Sequence, residues 1–354
     1  MNILIAGGGI AGFNCALRLL RAGHQVTLAE KQRGTIDKVC GEGILPFGVN
    51  LLREVGLREE VARAGFPFHE LAYQLNNQRI SAGFPDGQFG IGIERSRLDQ
   101  IFRSACLQHE DFRLWEGKKV GPEDGRRFDR VIAADGIHSQ WGKGQGRSVL
   151  PSKRLGLRFR LQQPPVPRVQ VHFFRGCEIY LTPTDENTQS VAFLVDPEKL
   201  AIRGGELSEW AKCFFRKNFP AYAHLPLQGL ATRGPIASRP KGAEPCVHLI
   251  GDAFRAFDPI SGAGMSFALL CGKLAVENLD DPRAYAQALR PALRSINEFT
   301  NMVLFFRGGG LKTRLMMRQL GKSPATFSRL LSLHNGEARF TDLGLRDLLA
   351  VLAV

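Results

Sequence analysis

Asn2-Ile3-Leu4-Ile5-Ala6-Gly7-Gly8-Gly9-Ile10-Ala11-Gly12 carries a short apolar run straight into a glycine turn. The run reads as a strand over 2–6. The turn opens an amphipathic helix over 10–22 with Ala16, Leu17 and Leu20 inward, and Gln25-Val26-Thr27-Leu28-Ala29-Glu30 reads as a second strand. This is a βαβ unit with G-x-G-x-x-G at its first corner. Glycine there permits the tight turn, lets a pyrophosphate approach backbone N–H groups at a helix start, and lets helix and strand pack closely. Glu30 follows Gly12 by 18 residues and ends the second strand, where a carboxylate can accept both hydroxyls of an adenosine ribose and would repel a phosphorylated one. Gly7, Gly9, Ile10, Ala11, Gly12, Glu30 and the following Lys31 are therefore candidate dinucleotide contacts. The motif alone leaves FAD and NAD both open.

A segment more than 200 positions away decides between them. Residues 248–265 read His-Leu-Ile-Gly-Asp-Ala-Phe-Arg-Ala-Phe-Asp-Pro-Ile-Ser-Gly-Ala-Gly-Met, a strand followed by an acidic turn and a glycine-rich helix start. Asp252, just after Gly251, is placed to bind a ribityl hydroxyl. Backbone N–H groups around Gly262, Gly264 and Met265 can stabilise negative charge on a reduced flavin ring. NAD has no group to use them, so the expected cofactor is FAD, held non-covalently.

Between these segments, Asp129-Arg130-Val131-Ile132-Ala133-Ala134-Asp135-Gly136-Ile137-His138-Ser139 is an apolar strand running into D-G-x-x-S, with Asp135 a further cofactor candidate. In this order and spacing the three segments resemble the superfamily of FAD-binding aromatic hydroxylases and geranylgeranyl reductases, which share the fold of para-hydroxybenzoate hydroxylase. The resemblance covers residues 1–280. Arg95-Ser96-Arg97-Leu98-Asp99 is similar to the family's R-x-x-L helix start, and Lys38-Val39-Cys40-Gly41-Glu42-Gly43 to the reductase branch's K-V-C-G-D/E. The resemblance implies that Arg95 lies near the FAD pyrophosphate and that the Cys40 loop lies beside the flavin ring. Asp258-Pro259 places the chain nearer the geranylgeranyl reductases and flavin halogenases than the hydroxylases with Pro-Pro there. Gly142 stands where the family usually has Arg, and the reductases' Y-x-W-x-F-P appears as Glu178-Ile179-Tyr180-Leu181-Thr182-Pro183.

Three reactions fit this scaffold: oxygen-dependent hydroxylation, reduction of a carbon–carbon double bond, and halogenation. Tryptophan occurs at Trp115, Trp141 and Trp210, so the halogenases' W-x-W-x-I-P element is missing. The texture of the whole chain resembles FAD-dependent oxidoreductases of polyketide and phenolic biosynthesis, which implies a monooxygenase acting on a small to medium apolar or phenolic molecule. The alternative is a C=C reductase resembling geranylgeranyl reductase. An alternative of another class is a flavin- or lipid-binding protein without turnover. The catalytic candidates are Cys40, whose thiol can donate a proton or tune the ring, Tyr180 on the expected pocket floor, and Pro259. His138 and His172 lie in loop and strand and read as structural. One adenosine-binding βαβ unit implies that NAD(P)H is a transient reductant or that a separate reductase replaces it.

Beyond the first unit, the pattern predicts helices at 47–56 and 96–108, strand-like stretches near 66–93, and a buried strand at 129–134. It also predicts β segments at 155–162, 168–175, 178–182 and 189–195, a helix near 206–217, a strand at 246–250 and a helix at 263–278. The fold class is thus α/β: a Rossmann-like FAD-binding domain over 1–65, 94–150 and 237–282, interleaved with an antiparallel β-sheet substrate domain over 66–93 and 151–236. C-terminal helices over 283–354 complete it, the first expected to run from a cap at Asp281-Pro282 to Phe306 before Gly308-Gly309-Gly310.

Seven scattered cysteines without a CxxC pair suggest neither disulfides nor a metal site. No signal-like segment precedes the first strand, and a cytoplasmic location is expected. The net charge of +13 is uneven, because residues 283–354 hold 11 Lys or Arg against 4 Asp or Glu. No nucleic-acid-binding signature accompanies it. Arg314, Arg318 and Lys322 recur at four-residue spacing on a predicted helix, with Leu311, Leu315 and Leu320 expected to point another way. Such a face reads first as solvated, and otherwise as peripheral attachment to an anionic membrane. Oligomeric state is open.

Overall fold

The computed structural model describes residues 1–141, 147–149, 154–202, 206–233, 238–240, 247–334 and 344; Gly142, Cys246 and the apolar tail after Asp347 lie outside the described residues. A five-stranded parallel sheet has the order His248–Leu249, Arg130–Ala133, Asn2–Ala6, Gln25–Glu30, Phe112–Glu116. The first strand is central because it pairs on both sides, which makes its Ile3, Leu4 and Ile5 fully buried. Helices Ile10–Arg21 and Gly264–Glu277 cross on one face. At their crossing a Cβ on Gly272 would come within 2.1 Å of Asn14 Nδ2, and Asn14 donates to the Leu269 carbonyl at 2.9 Å. The helix opened by the first motif is thereby locked to the helix opened by the last.

The second layer is a seven-stranded sheet in the order Leu227–Arg233, Leu155–Gln162, Thr188–Val195, Cys177–Asp185, Arg168–Phe174, Glu70–Leu75, Gln78–Gly83. It is antiparallel except where Arg168–Phe174 pairs with Glu70–Leu75. Its two faces are both covered. On the back, Leu157, Phe159, Ile179, Leu181 and Phe193 pack against helix Leu207–Asn218 through Ala211 and Phe215. The front faces the nucleotide-binding layer and, toward the 70–83 hairpin, the C-terminal helices Leu311–Lys322 and Pro324–His334. A small sheet of Gly43–Ile44, Gly90–Gly92 and Phe66–Phe68 joins the layers.

Three local expectations change. The helix expected over 282–306 is two, Pro282–Ala288 and Arg290–Phe306, because Pro291 removes an N–H and falls in the first turn of a new helix. Leu311 is 70% exposed rather than inward; Thr313, Met316, Met317 and Leu320 form the buried face of that helix. Strand Phe112–Glu116, at the sheet edge, and helix Arg58–Ala64 carry too little periodicity to be read beforehand.

Candidate active site

The glycine turn is as tight as its sequence demands. Gly7 has φ +111°, and a Cβ there would lie 2.4 Å from the Ala134 carbonyl oxygen; one on Gly12 would lie 2.0 Å from the Gly7 oxygen. Gly9, by contrast, faces open space below the Arg95 guanidinium, whose Nη2 would be 3.7 Å from a Cβ at that position. Glu30 stands in front of the turn, accepting from the N–H of Gly8 at 2.7 Å and of Gln32 at 2.9 Å. Each oxygen retains a lone pair for a ribose hydroxyl. Lys31 is exposed beside it.

From the turn, a groove of about 130 Å³ runs between Gly9, Ile10, Ala11, Lys38, Arg95, Gly136 and Ala268. Asp135 sends its Oδ2 back to the Gln140 N–H at 3.0 Å, so its neighbours Ala134 and Gly136 line the groove while its carboxylate holds the loop. Gly251, at φ +58°, backs onto Ala11, where a Cβ would come within 2.8 Å. Asp252 faces the groove and pairs with Lys38 at 3.9 Å.

Val39, Cys40, Asp252, Gly264 and Met265 line both this groove and a second, larger cavity of about 170 Å³. The second cavity lies between the layers. Its walls are largely apolar, including Phe68, Leu71, Val171, Ala192, Leu194, Phe257, Phe299 and Val303. Gly262, at φ +65°, and Gly264, at the start of helix Gly264–Glu277, have nothing within 4 Å of a built Cβ. Pro259 opens the short turn Pro259–Ser261 on the same rim. The sequence candidates Cys40, Tyr180, Pro259, Asp252, Gly262, Gly264 and Met265 are thus brought around one space. His138 is exposed, and His172 lies on the back of the sheet against Phe219, 4.7 Å between ring centroids.

Two buried ion networks hold the walls, and sequence reading missed both. Arg158, 2% exposed, grips Asp37 with both nitrogens at 2.8 and 2.7 Å and Glu42 at 2.8 Å. Glu42 is fully buried at φ +58°, and the same Oε1 also accepts the Arg95 N–H at 2.9 Å. The Cys40 loop is thereby pinned to the sheet and to the helix carrying Arg95. In the second network, Arg154 joins Glu178 of the sheet to Asp258 of the rim, the latter at 2.7 Å. Nothing in sequence pairs residues 104 or 116 positions apart; the excess of arginine on one strand, at Arg158 and Arg160, was the available signal.

Burial pushes the Cys40 thiol up, with the Arg95 charge only partly opposing, so the thiol is protonated at neutral pH; its sulfur accepts the Glu42 N–H at 3.3 Å. Burial also raises Glu42, against the pull of Arg158, whereas the Arg158 hydrogen bond holds Asp37 below the usual carboxylate range. Tyr180 is pushed well up by burial and by the Glu178 charge, and its hydroxyl donates to the Ile260 carbonyl at 3.3 Å.

FAD fits these residues on three observations: the open cradle at Gly9 beneath Arg95, the Arg95 Nε without a hydrogen-bond partner among the described residues, and a groove continuous with an apolar chamber. Comparison with known proteins agrees. Residues 1–120 match the family described as FAD binding domain. Digeranylgeranylglycerophospholipid reductase 1 of Methanopyrus kandleri is 27% identical over 78% of this chain and 79% of its own length. FAD-dependent monooxygenase olcE of Penicillium canescens is 31% identical over 39% of this chain and 34% of its own. The structure of p-nitrophenol 4-monooxygenase PnpA from Pseudomonas putida superposes with a TM-score of 0.79 at 15% identity, covering 96% of this chain and 98% of that one, which shows a shared fold. The chain is an FAD-dependent oxidoreductase with FAD as its non-covalent cofactor, similar along most of its length to reductases and monooxygenases of the para-hydroxybenzoate hydroxylase and geranylgeranyl reductase type.

Proposed function

We propose that the protein is a monooxygenase that hydroxylates a small to medium apolar or phenolic molecule, with NAD(P)H as transient reductant. The observation that carries this is the junction of groove and chamber: among the described residues, the two spaces share Val39, Cys40, Asp252, Gly264 and Met265 as common wall. Gly7, Gly9, Ile10, Ala11, Gly12 and Arg95 would hold the pyrophosphate, and Glu30 the adenosine ribose. Asp252 would take the ribityl chain, with Gly262, Gly264 and Met265 facing the flavin pyrimidine. Bound FAD supplies the two-electron chemistry. The chain's own part is to line that junction and to offer no loose charge. Glu42 is tied to Arg158, Asp258 to Arg154 and Asp252 to Lys38, so the chamber selects neutral molecules.

A second reading, reduction of a carbon–carbon double bond, is favoured by Cys40. A protonated thiol on the chamber wall is placed to give a proton to carbon after hydride addition. Supplying purified protein with reductant and a panel of phenols, polyketides and prenyl compounds, with and without oxygen, separates the two. Hydroxylated product that requires oxygen supports the first reading; saturated product formed anaerobically replaces it with the second.

The C-terminal helices add a partner to this proposal. From Phe299 to Gly336 the sequence holds six Lys or Arg and no acid. Phe305 and Leu311 are 57% and 70% exposed there, with Lys312 over the Phe305 ring. Apolar side chains in a stretch of sequence rich in cations and free of acids suit peripheral attachment to an anionic bilayer. Co-sedimentation with anionic but not neutral vesicles is expected, and equal behaviour with both removes the idea.

A further inference from the structure

One row of residues crosses the front of the seven-stranded sheet under the chamber. Ile80 pairs with Tyr73, Tyr73 with Val171, Val171 with Tyr180, Tyr180 with Ala192, and Ala192 with Arg158. Registered neighbours share a face, so Tyr73 and Tyr180 rise on the same side, two strands apart with Val171 between them. At about 4.8 Å per strand their backbones are roughly 10 Å apart. Both line the chamber.

The two phenols are not otherwise spent. Tyr73 is 4% exposed and its ring is held against Phe173 and Phe327, at centroid distances of 5.2 and 4.9 Å, yet its hydroxyl makes no hydrogen bond among the described residues. That oxygen is not one of the enclosed polar atoms, so it opens onto the chamber, where a ligand oxygen can meet it. Tyr180 has one long contact, 3.3 Å to the Ile260 carbonyl on the rim. Burial keeps both phenols neutral at physiological pH. Neutral hydroxyls donate and accept; they do not favour a carboxylate as an arginine would. The arginines of this face are occupied by Asp37, Glu42, Glu178 and Asp258.

We propose that Tyr73 and Tyr180 form a two-phenol recognition site for an uncharged oxygen of the substrate, a phenol, ketone or quinone, with the ring carrying it laid over Val171. This rests on the reading of the chamber as the substrate space and narrows the substrate class: a hydrocarbon without an oxygen function leaves the Tyr73 hydroxyl unmet. Leu71, Val169, Phe299 and Val303 remain as wall for the apolar remainder.

The test uses the intact flavoprotein and two probes of one shape, 1-naphthol and 1-methylnaphthalene, with binding followed by calorimetry and FAD content measured separately. Wild type is expected to bind 1-naphthol at least about tenfold more tightly. Tyr73→Phe and Tyr180→Phe should each lower 1-naphthol affinity by roughly fivefold while leaving 1-methylnaphthalene unchanged, and the double variant should bind the two alike. Phenylalanine keeps each ring in place, and an unaltered 1-methylnaphthalene affinity reports an intact chamber. Equal affinity in wild type, a preference that survives in the double variant, or failure of both probes to bind overturns the proposal. None of these outcomes bears on whether product formation needs oxygen, so the reaction class stands or falls separately.

Discussion

The two faces of the seven-stranded sheet are built from the same strands and hold opposite chemistry. On the back, Phe215, Phe219 and Tyr222 stack with one another, Phe193 tilts against Phe215, and His172 is a polar intruder whose Nε2 has no partner among the described residues. On the front, alternate residues of those strands are Arg158, Arg160, Glu178, Tyr180 and Ser190, with Arg154 just ahead of the first, all buried or half-buried. The back has one task, to exclude water. The front must also fix two loops of the other layer and leave a space between them, and an apolar contact cannot fix a loop directionally as a bidentate guanidinium does. The difference teaches that here buried charge marks the seam where the site is made.

Substitutions that hit the two faces equally hard should therefore part company in what they do to the cofactor. Arg158→Met leaves buried Glu42 with the longer Arg160 contact at 3.4 Å as its remaining ion pair and is expected to cost up to about 3–5 kcal/mol of stability, by analogy with broken buried ion pairs, and to weaken FAD retention as the Cys40 loop is released. Phe215→Ala, on the back, is expected to cost a similar 3–5 kcal/mol through its cavity while leaving FAD content unchanged. Urea unfolding with FAD release measured in parallel decides it. If both variants lose FAD in step with stability, the seam has no special place.

The next effect is smaller and belongs to the back. Burial lowers His172 to about 4. The folded state therefore refuses a proton that the unfolded chain accepts below its ordinary value of 6.5, so stability is full above that value and declines as pH falls toward 4. The loss is up to about 3 kcal/mol. His172→Phe should flatten that segment of the stability–pH curve without altering the front; an unchanged slope would show that other groups govern it.

The nucleotide layer was legible in sequence because its devices are local. Gly7 to Gly12 and Glu30 lie within one βαβ unit, and Gly7, Gly8 and Gly12 each answer a contact a few residues or one strand away. The FAD assignment needed Asp252 to Met265, distant in sequence but again a compact motif. Tyr180 was visible as a floor residue through its strand. Tyr73 was not, because its role comes from registry with Val171 and Tyr180, which no local pattern encodes. The Arg158, Asp37 and Glu42 cluster was hidden for the same reason: three charged residues, unremarkable singly, meet only when the layers close. Strand Phe112–Glu116 escaped because an edge strand carries half the hydrophobic signal of a central one.

The account turns on the cofactor groove and the apolar chamber being one site. Ala192 lies in the floor row between Tyr180 and Arg158, away from the residues lining the groove. Ala192→Phe should fill the chamber and leave FAD bound. Titrating 1-naphthol while recording the visible flavin absorbance tests this most directly. A shifted flavin band in wild type and none in the variant, at equal FAD content, is the predicted result; an equal shift in both, or binding to wild type with no change in the band, contradicts it.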